Sequence, residues 1–156
     1  MLTPITIDVS TGENILTNAI QYEYPLLLEE RSIHILAYSI EMILAEKMQT
    51  ILSRNTSNTR MRDYYDVYIL QNIYREIYRE KIDMNVLRSL FDETCSQRKS
   101  TELLSRGNEI LDMIKESENI RQQWKSYQFY YPYVSDIEFE DIIHTIRDVL
   151  TEIKEK

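Results

Sequence analysis

The sequence has 156 residues, which is enough for one well-covered hydrophobic core and for little more. Only two glycines, three prolines and one cysteine occur, so the composition favours long helices and excludes an internal disulfide. The net charge of −8 excludes a protein that binds nucleic-acid backbones through bulk positive charge, and any phosphate contact must therefore be local.

The N-terminal segment carries the strand patterns of this chain. Residues 5–9 alternate between apolar and polar side chains and run into the turn-like residues 10–12, which predicts a short strand that contains Asp8. Residues 13–31 show no clean period, and Pro25 would interrupt any helix there. A second short strand is expected over residues 33–38.

The rest of the chain reads as helices separated by polar or turn-rich segments. The first begins with Ser39 as its N-cap and ends near Ser53, and a polar loop over residues 54–60 follows it. Further helices are expected over residues 62–78, 84–94, 101–115, 118–128 and 137–154. The predicted fold class is therefore mainly α, a helical bundle with one or two short N-terminal strands.

Targeting and membrane signals are absent from the sequence. No apolar run approaches the ~20 residues that a membrane-spanning helix needs. A secretory signal has a charged segment followed by an apolar one, and the N-terminus of this sequence shows no such pattern. We therefore expect a cytoplasmic protein with no membrane partner.

One charged side chain interrupts the apolar face of the first helix. At 100° per residue, the apolar stripe of this helix contains Lys47 in its middle; its apolar members are Ile40, Ile43, Leu44, Met48 and Ile51. Because burial of an unpaired ammonium is costly, Lys47 must reach water, pair with an acid or hold a functional charge.

The next helix shows the same anomaly with the opposite charge. Asp63 and Asp66 lie on the face that also carries its apolar residues, namely Val67, Leu70, Ile73 and Tyr74. The preceding loop adds three cations, Arg54, Arg60 and Arg62. Such a mixture suits a phosphate ligand, whose oxygens bind the cations while the carboxylates hold a metal or position a nucleophile.

A structural interpretation of these charges remains open beside the functional one. Lys47 would then pair with Asp63 or Asp66 across a helix hairpin, and the arginines would belong to a solvated surface loop. In both interpretations the three charged groups approach one another. We expect an open phosphate site in which water reaches all three.

Three segments in this order resemble a known family. They are residues 7–12 (Ile-Asp-Val-Ser-Thr-Gly), residues 38–47, which end in Ala-Glu-Lys, and residues 60–66 (Arg-Met-Arg-Asp-Tyr-Tyr-Asp). The pattern is similar to the AbiEii/AbiGii-type nucleotidyltransferase toxins, which carry an Asp-containing strand, an Ala-Glu-Lys helix and an Arg-Asp-x-x-Asp helix. Residues 91–98, 123–127 and 136–140 resemble the later part of the same family.

The resemblance implies a polymerase-β-like nucleotidyltransferase that uses Mg²⁺ and a nucleoside triphosphate. By this resemblance Lys47 contacts nucleotide phosphate, Asp63 is the catalytic carboxylate, Asp66 is an acid near the metal, and Asp8 is the strand aspartate that approaches the metal ions. Arg54, Arg60 and Arg62 are the candidate nucleotide-binding cations. A cognate antitoxin and an RNA acceptor such as tRNA are the partners implied for a full-length toxin in phage defence by abortive infection.

The family's metal-binding Gly-Ser and Asp-x-Asp segment occurs nowhere in this sequence. Two-metal transfer needs those carboxylates, so we expect the C-terminal part of such a toxin, inactive on its own. Residues 1–38 would be the remnant of the nucleotidyltransferase sheet and residues 39–156 a helical C-terminal domain. The alternative is a non-catalytic helical interaction module that binds the antitoxin.

The remaining candidate residues have ordinary structural interpretations. We expect Cys95 to be a buried apolar residue and Trp124 a core anchor. His34 reads as a strand histidine, and His144 should lie on the polar face of the last helix. The tyrosines at 127, 130, 131 and 133 are expected to fill helix junctions, with base stacking as the functional alternative.

Overall fold

The structure is a computed structural model that describes residues 19–74 and 82–155. Within that part, a hairpin precedes six α-helices, which confirms the predicted mainly α class. The chain divides into two compact units, Met1–Ser39 and Ile40–Lys156. The second is called the helical unit below. The strand predicted over residues 5–9, and with it Asp8, lies outside the described residues.

An antiparallel hairpin forms the described part of the first unit. Strand β1 (Ala19–Pro25) pairs with β2 (Ser32–Tyr38) in a register that places Tyr22 opposite Ile35. The backbone N–H of Leu26 donates to the carbonyl of Arg31 at 3.0 Å and closes the turn. The predicted second strand is confirmed. The interpretation of residues 13–31 missed β1, whose pairing continues up to Pro25, where the chain turns.

The helical unit begins with α1 (Ile40–Arg54) and α2 (Met61–Ile69). Asn55 adopts a positive φ of 48° where α1 ends, and a short 3₁₀ turn over Asn55–Ser57 leads toward α2. The short connection makes α1 and α2 antiparallel neighbours. The helix predicted over residues 62–78 continues past Ile69 as a wider π-helical turn over Leu70–Tyr74. Residues 75–81 and the side chains of Ile73 and Tyr74 lie outside the described part.

Four further helices complete the unit: α3 (Met84–Gln97), α4 (Leu103–Glu116), α5 (Glu118–Tyr130) and α6 (Phe139–Lys154). Asp83 caps α3 by accepting from the N–H groups of Asn85 and Val86 at 2.9 and 3.2 Å. Ser117 caps α5 through the N–H of Ile120 at 3.4 Å. Each of these helices lies close to its predicted position; in α3 and α5 the capping side chain and the apolar period agree, whereas α4 and α6 have no capping side-chain hydrogen bond.

The hydrophobic core lies among the helices of this unit. α1 packs against α3 and α2, and α6 packs against α2, α3 and α4. The approach of α4 to α6 is so close that a Cβ on Gly107 would lie 2.8 Å from a methyl group of the buried Leu150. Fully buried side chains at the centre include Leu44, Met48, Phe91, Leu111, Ile114 and Ile146. In the described residues, no helix combines the length and apolar character needed to cross a bilayer.

Candidate functional site

Helices α1 and α2 bring three charged side chains together. The ammonium of Lys47 donates to Asp63 Oδ1 at 2.6 Å and lies 2.9 Å from Asp66 Oδ2. The predicted approach of these residues across a helix hairpin is confirmed. We call Lys47, Asp63 and Asp66 the polar cluster.

Burial differs sharply within the polar cluster. The side chain of Asp63 is 6% exposed, whereas those of Lys47 and Asp66 are 27% and 24% exposed. The expectation that water reaches all three groups is therefore wrong for Asp63. Asp63 lies in the first turn of α2 next to the buried Met61, Tyr64 and Val67, so the face that carries it turns into the core.

The protonation of Lys47 reflects two opposing influences. Partial burial lowers the pKa of its ammonium, but the hydrogen bonds and negative charges of Asp63 and Asp66 outweigh that effect and raise the pKa overall. The lysine therefore carries its charge at neutral pH. The cluster holds one cation between two carboxylates, an arrangement that restrains both helices.

One oxygen of the cluster has unused hydrogen-bonding capacity. Asp63 Oδ2 has no hydrogen-bond partner among the residues that the structure describes, although the residue is only 4% exposed. Burial of an unsatisfied carboxylate oxygen is costly, and such an atom in a folded protein calls for an explanation such as an ordered water, an ion or a catalytic role. The second oxygen of Asp66 has a cation nearby, because Arg62 Nε lies 3.9 Å from Asp66 Oδ1.

An open cleft of about 620 Å³ adjoins the polar cluster through Asp63. It lies between the beginning of α2 and the part of α5 that starts at Gln122. We call it the α2–α5 cleft. Its lining consists of Thr59, Arg60, Met61, Arg62, Asp63, Gln122, Gln123, Ser126, Tyr127, Tyr130 and Tyr131. Its volume lies within the ~300–1,000 Å³ range typical of small-ligand sites.

The three predicted arginines differ in their relation to this cleft. Arg60 and Arg62 line it and are exposed, and Arg60 is the N-cap residue of α2 without a capping side-chain hydrogen bond. Arg54 ends α1, is also exposed, and is not part of the cleft lining. The cleft therefore combines two of the three predicted cations with the uncapped end of a helix, where anions bind favourably.

Three tyrosines at the end of α5 and just beyond it line the opposite side of the cleft, namely Tyr127, Tyr130 and Tyr131. The rings of Tyr127 and Tyr131 lie 4.5 Å apart between centroids, and the hydroxyls of Tyr127 and Tyr133 lie within hydrogen-bond distance at 3.0 Å. Tyr130 is 73% exposed. The expectation that these rings fill helix junctions holds for the contacts around Tyr127 but is wrong for Tyr130, because its ring is largely in solvent.

The sequence interpretation also missed the polar part of the wall. Gln122, Gln123 and Ser126 line the cleft, yet each reads as an ordinary polar position on an amphipathic helix. These three residues come close to α2 only through tertiary packing, so no spacing along the sequence predicts that they line a common cleft.

The described residues do not fit a magnesium ion at the polar cluster. Mg²⁺ requires near-octahedral oxygen ligands at about 2.0–2.1 Å, whereas one oxygen of Asp63 and one of Asp66 are already paired with the Lys47 ammonium. Throughout the two described ranges, no group of three or more Asp, Glu, His or Cys side chains is arranged to hold a metal ion.

Four other residues take the positions that their patterns predict. Cys95 is buried, and burial is the main reason that the pKa of its thiol is raised. Trp124 is 2% exposed and donates from Nε1 to the carbonyl of Ile137 at 3.1 Å. His34 lies in strand β2 and His144 on the exposed side of α6, and both are exposed.

Comparison with known proteins gave one match. The family model described as "Nucleotidyl transferase AbiEii toxin, Type IV TA system" matches residues 1–149. No curated protein and no solved structure matched significantly. The matched range includes every residue of the polar cluster and of the α2–α5 cleft.

Proposed function

The chain belongs to the AbiEii nucleotidyl transferase toxin family of type IV toxin–antitoxin systems, and we propose on this basis that its polar cluster is the part of a nucleotide-transfer site that the chain retains. In this proposal Asp63 is the catalytic carboxylate and Asp66 supports it. Lys47 contacts a phosphate of the nucleoside triphosphate once the nucleotide draws the ammonium away from one carboxylate.

The observation that carries the proposal is the unsatisfied oxygen of a buried carboxylate beside an open cleft. A purely structural ion pair is most favourable when both carboxylate oxygens are hydrogen-bonded and the pair is closed off. Here Asp63 Oδ2 lacks a partner within the described residues, and Asp63 lines a cleft that also presents Arg60 and Arg62. This arrangement supports a binding role for the cluster more than a role in stability alone.

We propose further that this chain does not transfer nucleotides by itself. The sequence contains neither a Gly-Ser pair nor an Asp-x-Asp pair, and the described residues do not fit Mg²⁺. Nucleotidyl transfer by this family requires the divalent metal and the triphosphate that such a segment binds. The chain therefore acts as the C-terminal, helical part of a site whose metal-binding carboxylates come from outside this sequence.

A labelled-nucleotide assay tests both statements. The isolated chain, incubated with labelled nucleoside triphosphates, Mg²⁺ and total tRNA, is expected to label nothing. The same chain fused to the Gly-Ser and Asp-x-Asp segment of a family member is expected to label RNA in a metal-dependent way. A Lys47→Ala variant of each protein serves as the matched control.

Two results would contradict the proposal. Metal-dependent labelling by the isolated chain above the level of its Lys47→Ala variant would show that the chain is a complete enzyme. No labelling by a folded fusion protein would show that the polar cluster is not a working half-site.

The second candidate function is a non-catalytic module that contacts the cognate antitoxin. It is supported by apolar side chains left in solvent on α5, above all Phe129, which is 82% exposed. A fusion protein that is folded but inactive, together with direct binding of the antitoxin, would favour it. For either role we propose that the chain acts in the cytoplasm, in a bacterial toxin–antitoxin system that aborts phage infection.

A further inference from the structure

The direction in which the Asp63 carboxylate points is not fixed by its own hydrogen bonds. Its Oδ1 accepts from the Lys47 ammonium at 2.6 Å, whereas Oδ2 has no hydrogen-bond partner among the residues that the structure describes. The ammonium is also shared with Asp66, whose Oδ2 lies 2.9 Å away. Because one shared contact leaves a carboxylate free to turn, the backbone that carries Asp63 and the side chains beside it determine its orientation.

Asn58 holds the backbone at the start of α2. Its Oδ1 accepts from the N–H of Arg60 at 3.0 Å, and the carbonyl of Arg60 accepts from the N–H of Asp63, also at 3.0 Å. The side chain of Arg60 makes no capping hydrogen bond to α2. Two consecutive hydrogen bonds therefore connect the side chain of Asn58 to the backbone of Asp63.

The amide nitrogen of Asn58 belongs to the surroundings of Tyr64, the residue that follows Asp63. Asn58 and Tyr64 are both 0% exposed. Burial raises the pKa of the Tyr64 hydroxyl, and the neighbouring side chain of Asn58 partly offsets that effect. Neither Asn58 Nδ2 nor the Tyr64 hydroxyl has a hydrogen bond of standard geometry to a described residue, and a pairing of the two groups satisfies both.

The ring of Tyr64 is fixed from the other side by the core. It contacts the ring of Phe139 on α6 at a centroid distance of 5.7 Å. Asn58 thus contacts a backbone group before Asp63 and faces an anchored side chain after it. The carboxylate lies between these two points.

The chemistry of an amide suits this position better than that of other turn-forming residues. Aspartate and serine also accept from a backbone N–H in such turns. An aspartate would place a second buried carboxylate near Asp63, and a serine lacks the longer side chain that presents a donor to Tyr64. Asparagine combines a neutral group, an acceptor for the turn and a donor for the hydroxyl.

We propose that Asn58 is a positioning residue of the polar cluster, which holds the first turn of α2 and Tyr64 so that Asp63 Oδ1 stays directed at the Lys47 ammonium. Asn58 acts through Asp63 and is not itself catalytic. The inference rests on the proposed function only in making this carboxylate a catalytic one. The maintained contact between Lys47 and Asp63 is a property of the isolated chain.

The exchange of the Lys47 ammonium protons with water, measured by NMR on the isolated full chain at low temperature, tests this contact. A hydrogen-bonded ammonium exchanges more slowly than a free one, so Asn58→Ala is expected to raise the exchange rate by about tenfold, as for the loss of one hydrogen bond between charged groups. Tyr64→Phe keeps the ring in the core and is expected to raise the rate less. Lys47→Met identifies the signal by its absence.

The kinetics of the fusion protein test the consequence for catalysis. Asn58→Ala is expected to lower kcat by about tenfold or more at equal amounts of folded protein, because a displaced catalytic group slows the chemical step. The KM for the nucleotide is expected to change little, since Asn58 holds the carboxylate and not the groups that bind the triphosphate. A loss of stability alone would not change kcat per folded molecule.

Ser117→Ala is the matched control, because Ser117 is also a side chain that holds a helix start. Its Oγ accepts from the N–H of Ile120 at the beginning of α5. This variant loses a helix cap but is expected to leave both the exchange rate and kcat unchanged. Circular dichroism verifies folding, and Asn58→Ser, which keeps an acceptor for the N–H of Arg60, replaces Asn58→Ala if that variant does not fold.

An unchanged exchange rate in Asn58→Ala, or an equal rise in Ser117→Ala, would overturn the inference. Faster exchange with an unchanged kcat in an active fusion protein would also overturn it. A folded but inactive fusion protein, together with faster exchange in Asn58→Ala and not in Ser117→Ala, would reject the proposed function and leave the role of Asn58 in holding Asp63 in place. An active fusion protein in which Asn58→Ala changes neither quantity would do the reverse.

Discussion

Replacement of Trp124 by alanine is expected to destabilise the helical unit by about 3–5 kcal/mol, the usual cost of removing a large aromatic side chain from a core. Trp124 is 2% exposed, and its ring contacts those of Tyr127 and Phe139 at centroid distances of 5.6 and 6.2 Å. Its Nε1 group also donates to the carbonyl of Ile137. The residue thus fixes α5, and with it the tyrosine wall of the cleft, against the segment that leads into α6.

Urea denaturation followed by circular dichroism measures this effect. Phe129→Ala is the matched control, because Phe129 lies on the same helix and is 82% exposed; its replacement should change the free energy of unfolding by less than about 0.5 kcal/mol. Similar losses for the two variants would show that α5 is not anchored through Trp124.

Replacement of Lys47 by methionine has the second largest expected effect, a loss of about 2–4 kcal/mol. This loss is smaller than the loss for a fully buried ion pair, because the Lys47 side chain is 27% exposed. It is larger than the loss for a surface ion pair, because the variant leaves Asp63 buried without its cation. A site in which water reaches all three groups, as the sequence alone predicts, would give a smaller loss of stability. The burial of Asp63 makes the expected loss larger.

A double replacement separates the ion pair from other effects of the methionine. Lys47→Met combined with Asp63→Asn removes the uncompensated charge, so the double variant is expected to be more stable than Lys47→Met alone by about 1 kcal/mol or more. Lys125→Met, at an exposed position of α5, is the control for the substitution itself. Additive losses in the double variant would contradict a coupled pair.

The pH dependence of this difference follows from the pKa of Lys47. Because Asp63 and Asp66 raise that pKa above its ordinary value of 10.5, the folded protein holds the proton more tightly than the unfolded chain. The stabilisation is fully present below pH 10.5 and is lost as the pH rises through the higher folded-state pKa. The difference between the unchanged chain and Lys47→Met should therefore be constant from pH 7 to about 9.5 and shrink above 10.5.

The sequence predicted the helices well because their local signals agree with their packing. Asp83 and Ser117 mark helix starts, and the apolar period of α6 places its buried face. Strand β1 was missed because its alternation is short and its neighbour Pro25 suggested only an interruption. Its assignment depends on pairing with β2, which is not a local property.

The candidate site was predictable in part for the same reason. Lys47, Asp63 and Asp66 each occupy an apolar stripe, and a short loop makes the two helices antiparallel, so their approach followed from the pattern. The cleft could not be predicted, because Arg60 and Tyr130 are far apart in sequence and meet only through the packing of α2 against α5. The burial of Asp63 likewise depends on tertiary contacts.

The rate of metal-dependent nucleotide transfer tests most directly whether the polar cluster is part of a catalytic site. The rate is compared between the fusion protein and its Asp63→Asn variant at equal amounts of folded protein. Asparagine keeps the shape of the side chain but cannot act as a charged base. We expect the transfer rate of Asp63→Asn to fall by about 100-fold or more, as is typical for the loss of an acid–base group. The control variant Asp112→Asn changes an exposed carboxylate on α4 and should leave the rate unchanged. An unchanged rate per folded molecule of Asp63→Asn would contradict the account and identify the cluster as a structural ion pair.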